Sequence, residues 1–496
     1  MPLTAAILLA VHPLLSLFEH NQSEVELSVL WRPLALCVAV AAVLYGVFMV
    51  IFKRPTKAGA LASLVIVSFF YYGTYLTKAS GWGLSEGWFI PLWVLLFLLG
   101  ALVLVRTESN LVNLTIVLTV GAAVWTLVPA ITIARYQSRH PPIASSDPRL
   151  WPTALKTPVV PAGKGLPDIY VIIPDDYARP DVLRRYFHYD DSAFIQALRE
   201  RGFVLSEEVR SPYSDSEMNI AAEMNMDYLS GLARILGRDS QDVRPVRRLI
   251  HDNRASRLLE ALGYRYVHLD TDEVTFPAGN PHISPIATPD SFMTLWLQQT
   301  ALGEVGGKLG FDDAATNARF REAIHKEFSR LAALPQEPGP KFVLFHTLLP
   351  HDPYIFGPRG QAVTFPDTSG EGHSSRLGMR YYLRQLRFTE TLLLEATDAI
   401  LARSKEPPIV VILSDEGFEG SEEVLGEAAV RDIRVKGFAA FHLPGMGNAR
   451  PPRKLNTVNA LRFVFNLYFA TGYPMLRSAS YPELDSPYQF EEMRVR

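Results

Sequence analysis

The chain opens as a series of long apolar runs separated by short polar breaks, an alternation that ends near Ala134. Five runs stand out: about Thr4 to Phe18, Leu34 to Phe52, Ala58 to Thr77, Trp88 to Val105 and Leu111 to Ala134. A helix needs roughly 18 to 20 apolar residues to cross a bilayer's hydrocarbon layer, so this part reads as about five transmembrane helices. The first run is short and holds His12 and Pro13, which raises a signal peptide as an alternative. No Lys or Arg precedes it and no small-residue cleavage site follows, which favours a span. The basic loops "KRPTK", from Lys53, and "RTESN", from Arg106, share one parity and are expected on the cytoplasmic side. The opposite loops, "EHNQSEVELS" and "KASGWGLSEG", are acidic or near neutral and offer Trp82 and Trp88 as interface anchors. Five spans then put everything after Ala134 outside.

Beyond Ala134 the pattern changes. A proline-rich stretch, "RHPPIASSDPRLWPTALKTPVVPAGKG", reads as an extended tether. After it, buried-strand runs ("DIYVIIPDD", "YRYVHLD", "KFVLFHTLLPHDPY", "PPIVVILSDEGF") alternate with helical patterns such as "RASRLLEALG" and "LRQLRFTETLLLEATDAILAR". That alternation predicts a mostly parallel sheet wrapped by helices. The expected layout is a membrane domain over 1–134, a linker over 135–167 and an extracytoplasmic α/β domain over 168–496.

Composition narrows the class. A content of 48% hydrophobic residues in 496 suits a membrane protein, and a net charge of -3 gives no basic stripe for nucleic acid. The single cysteine, Cys37, excludes an internal disulfide and lies in an apolar run.

Two strand-like runs end in adjacent carboxylates, Asp175-Asp176 and Asp415-Glu416. Like charges side by side raise each other's pKa unless a cation or many donors compensate them, and ligands of such folds gather at the carboxyl ends of strands. A divalent metal is the natural reading. Turn or helix-cap roles are the alternative for the aspartates, and a helix cap is the alternative for Ser216. Glu217 and Glu223 fit a solvated helix face, and His268, His346 and His442 read as structural or near the substrate. His373, in a glycine-rich loop, is a possible loop-borne ligand.

The blocks "LSLFEHNQSEVELSVLWRPLAL", "DIYVIIPDDYARPDVL", "YSDSEMNIAAEMNMDYL", "FVLFHTLLPHDPY" and "VVILSDEGF" stand in an order that resembles the membrane-anchored, sulfatase-like branch of the alkaline phosphatase superfamily. That group includes lipoteichoic acid synthases and lipid phosphoethanolamine transferases. The resemblance implies that Asp175 and Asp415 are metal ligands, with Asp176 and Glu416 beside them. It further implies that Ser216 is the nucleophile and that His351 lies near substrate or metal. This chain departs from the pattern: Glu416 stands where relatives carry His, Asp176 where many carry Gly, and Ser216 where close relatives often carry Thr. An all-oxygen ligand set favours one manganese, magnesium or calcium ion over zinc. The Cys/Ser-x-Pro-x-Arg motif of true sulfatases is absent around Ser216.

What the resemblance implies is a membrane-bound phospho- or sulfo-ester transferase or hydrolase. It would act on phospholipid or envelope glycan, in the bacterial inner membrane, with its catalytic domain on the periplasmic side. The alternative is a catalytically inactive domain of the same fold that binds a glycan, lipid or assembly partner, since a lost ligand can abolish metal binding.

Overall fold

The computed structural model describes all residues except 153, 162–164, 271–290, 304–312, 366–374, 421, 483–485 and 494–496. His373 therefore lies outside the described residues. The chain divides into two compact units. One holds the N-terminal helices, Met1–Pro142, together with described residues 291–303 and 313–315; the other begins at Ile143 and takes in the remaining described chain.

The first unit is helical: α1 Pro2–Asn21, α2 Trp31–Phe52, α3 Pro55–Phe70, α4 Tyr72–Gly81, α5 Glu86–Arg106 and α6 Val112–Arg139. Four stretches are long and apolar enough to cross a membrane, and α3 with α4 makes a fifth if the 55° bend between them is counted within one span. The third apolar run is thus two helices. The break falls at "YYGT", where Gly73 admits a close backbone neighbour: a Cβ there would lie 2.7 Å from the Gln299 carbonyl oxygen.

α1 packs mainly on α2, α3 and α6. The outward faces of α2 and α5 are rows of exposed Val, Leu and Ile, as expected of helices solvated by lipid. The two basic loops meet at one end, where Arg54 Nη1 donates to the Glu108 carbonyl at 3.2 Å and Lys57 Nζ to the Val105 carbonyl at 2.6 Å. α6 runs away from that end and leaves the unit at the other.

The second unit is built on a six-stranded sheet ordered β2-β7-β6-β1-β5-β4. The strands are β1 Ile169–Asp175, β2 Phe203–Leu205, β4 Arg265–Asp270, β5 Lys341–Pro350, β6 Ile409–Leu413 and β7 Ala439–His442, while β3 Glu208–Arg210 and β8 Lys454–Asn456 form a separate parallel pair. β6, β1, β5 and β4 run parallel, and β7 is antiparallel to both its neighbours.

β1 is buried along its whole length because it lies between β5 and β6 and helices cover both faces of the sheet. Alternate residues feed two cores: Ile169, Val171 and Ile173 on one face, Tyr170 and Ile172 on the other. Each such side chain contributes roughly 1.5 to 3 kcal/mol by leaving water. That packing fixes the height at which β1 and β6 end, and with it the position of the carboxylates that follow.

Candidate metal and nucleophile site

Three loops converge at the carboxyl ends of β1, β5 and β6. After β1 the chain turns sharply: Asp176 sits in the left-handed region at φ 60°, a conformation that costs a non-glycine residue energy and clusters at functional sites. It is held there by Tyr382, whose hydroxyl donates to the Asp176 carbonyl at 2.7 Å and accepts from the Ala178 N–H at 3.2 Å. After β6, Gly417 permits a close crossing, since a Cβ would lie 2.2 Å from the Ile433 carbonyl oxygen. This is why a glycine follows the Asp415-Glu416 pair.

The nucleophile candidate is set by a helix start. Asp215 is the cap of helix Ser216–Asn225, its side chain accepting from the Met218 N–H at 2.8 Å. Ser216 is therefore the first residue inside the helix and not its cap, and its hydroxyl is left for the site. Oγ lies 3.4 Å from Asp175 Oδ1 and 3.3 Å from Glu416 Oε1. A helix N-terminus supplies N–H groups and partial positive charge suited to an anionic group.

Asp175, Asp176, Asp415 and Glu416 are all brought together and buried. Two sets that draw on them, Asp175–His346–Asp415 and Asp175–Asp176–Glu416, offer ligand atoms close enough to hold a metal ion. His346 is the residue that the sequence reading set aside. It lies on β5 beside β1, with Nε2 3.7 Å from both Asp175 Oδ2 and Asp415 Oδ2. One candidate set therefore includes a nitrogen donor, while Asp175–Asp176–Glu416 is all oxygen, as expected from Glu416.

The residues fit a divalent ion on their own evidence. Asp176 Oδ1 and Asp415 Oδ2 are buried and have no hydrogen-bond partner, an arrangement that is costly without a compensating cation. Burial pushes Asp175 up, with Asp415 adding to it, and burial likewise raises Asp176 and Glu416 well above the usual carboxylate range. Burial also acts on Asp415, but the His346 ring and the Glu416 N–H outweigh it and hold Asp415 below that range.

His351 stands apart from these sets. It belongs to a third candidate group with Asp176 and Glu419, and pairs with Asp352 (2.8 Å) and Glu419 (3.5 Å). Burial opposes its charge, but Asp175, Asp352 and Glu419 outweigh it and raise its pKa. Arg434 bridges Glu416 (3.3 Å) and Glu419 (3.1 Å). The sequence reading missed both Glu419 and Arg434. Glu217 pairs with Arg247 at 2.7 Å, while Glu223 is buried and not on a solvated face. His268 is buried and His442 caps the Pro408 carbonyl, away from the site.

No family model matches the sequence, and the comparison with curated proteins gave no match. Among solved structures, the chain is similar to the C-terminal periplasmic domain of EcEptC from Escherichia coli in complex with Zn, at 11% identity and TM-score 0.39, covering 64% of this chain and 87% of that one. It is similar also to the integral membrane protein lipooligosaccharide phosphoethanolamine transferase A from Neisseria meningitidis, at 12% identity and TM-score 0.38, covering 88% and 87%. A third is BT1596, a 2-O GAG sulfatase, at 14% identity and TM-score 0.38, covering 62% and 72%. Likeness at this level assigns no activity, so the chemistry rests on the residues of the site.

Proposed function

We propose that the protein is a membrane-bound, metal-dependent enzyme that transfers or hydrolyses a phospho- or sulfo-ester through a Ser216 intermediate, on a lipid headgroup or a cell-envelope glycan. The observation that carries this reading is the Ser216 hydroxyl, at the first position of a helix and within 3.4 Å of two buried carboxylates. Asp175, His346 and Asp415 would hold one divalent ion, with Asp176 and Glu416 beside it. When bound, the ion lowers the pKa of the hydroxyl and neutralises charge on the transferred group. The imidazole nitrogen opens the set to zinc as well as to manganese, magnesium or calcium.

The chain's own groups supply the rest. Ser216 Oγ forms the bond to phosphorus or sulfur as the ester oxygen leaves, its proton passing to Glu416, 3.3 Å away, and from there to the departing oxygen. Water or an acceptor hydroxyl then displaces Ser216, which regains a proton. His351 and Arg434 lie beside the site and can contact an anionic substrate.

The arrangement of the helices supports an extracytoplasmic site in a bacterial inner membrane. Both basic loops lie at one end of the membrane unit, the expected cytoplasmic end, and α6 leaves at the other. The binding-only alternative drew its support from the histidine replaced by Glu416. His346 returns a nitrogen to the same carboxylates, which favours the enzyme.

The test is turnover of aryl phosphate and aryl sulfate esters by the purified full chain with each metal. Ser216→Ala should abolish turnover while leaving metal content and unfolding temperature unchanged. Undiminished turnover in that variant rejects Ser216 as the nucleophile.

A further inference from the structure

Between β4 and β5 the chain leaves the α/β unit and contributes residues 291–303 to the membrane unit. No charged residue occurs between Asp290 and Glu304. Helix Ser291–Gln298 buries Phe292 and Trp296. The Phe292 ring meets Phe18 edge-on at 6.1 Å, and Trp296 stacks on Phe70 at 5.6 Å. The Gly73 N–H donates to the Gln299 carbonyl at 2.9 Å. Phe18 and Phe70 close α1 and α3 at the end away from Lys53 and Lys57, the end that also carries the exposed Trp82 and Trp88.

The outward side of this element is apolar: Leu295 is 47% and Leu302 44% exposed. A segment seated on the ends of membrane spans, uncharged throughout and showing leucines outward, meets the boundary between headgroups and acyl chains. We propose that residues 291–303 are a lipid-contacting element that sets Leu295 and Leu302 among acyl chains at that face of the membrane. This does not depend on the chemistry assigned to Ser216.

The experiment uses the full chain in nanodiscs of phosphatidylethanolamine and phosphatidylglycerol. Cys37→Ala removes the native thiol, and Leu295→Cys, Leu302→Cys or the exposed control Val159→Cys carries an environment-sensitive fluorophore. The expected result is several-fold stronger quenching at 295 and 302 than at 159 by lipid spin-labelled high on its acyl chain, with weak quenching by aqueous iodide. Gly73→Val, which collides with Gln299, should reduce the lipid quenching at 295 while a label at Leu98 in α5 keeps its own. Labels at 295 and 302 that respond to iodide as position 159 does would overturn the proposal. So would labels shielded from both quenchers, which would mean that protein covers this face.

Discussion

His346 is placed to influence which metal the proposed site would take. With its ring nitrogen 3.7 Å from one oxygen each of Asp175 and Asp415, it is the softest donor among carboxylates. His346→Ala should weaken zinc far more than manganese or calcium, and Asp415→Ala should remove all three, as elemental analysis after equilibration with a mixture of ions will show. Equal loss of every metal in His346→Ala would make the histidine a structural support and not a ligand.

A second residue reports on folding alone. Glu390 is buried and accepts from Tyr177 (3.1 Å) and Tyr189 (2.7 Å). Burial raises it from 4.5 to about 7. A carboxyl with a raised folded-state pKa binds its proton more tightly when folded, so its effect is favourable at low pH and is lost as pH rises from about 4.5 to 7. The full shift is worth up to about 3 kcal/mol. Glu390→Gln should flatten that part of the stability-versus-pH curve, measured as the difference between the unfolding midpoints of variant and parent.

At this scale the sequence showed much but not all. Asp175, Asp415 and Glu416 were legible because charges at the ends of apolar runs need a reason. His346 was not, because it lies inside "KFVLFHTLLP", where one polar residue in a buried strand looks like a satisfied core histidine. Arg434 hid in a short amphipathic helix, Glu427–Arg434, whose charges look like ordinary solvated positions.

Elements, more than single contacts, hold the site in shape. The parallel register of β1 with β5 and β6 was implied by the strand and helix alternation, and it sets the three loops side by side. What the pattern did not reveal was the crossing at Gly417, whose N–H donates to the Arg434 carbonyl at 2.7 Å. A methyl group there would meet backbone and not a yielding side chain, so Gly417→Ala should destabilise the chain by on the order of 2 to 3 kcal/mol. It should also displace Glu416 from Ser216. A variant with unchanged unfolding temperature and metal content would show that the crossing is not constrained.

For the whole molecule, apolar run lengths gave the membrane unit, and the proline-rich stretch marked where a second unit begins. They did not give the bend after α3. Nor did they show residues 291–303, too few to span a bilayer and so indistinguishable in sequence from a core helix.

That detour has a practical consequence. A single protease cut engineered into the proline-rich stretch after Pro142 would divide the chain between the N-terminal helices and the strands of the second unit. The portion beyond the cut still threads through the membrane unit by way of Phe292 and Trp296, so the two fragments should co-purify in mild detergent after complete cleavage. Shortened versions beginning at Asp168 should aggregate, because they expose an aromatic plug whose socket has been removed. Gly73→Val should let the cleaved fragments separate on a sizing column.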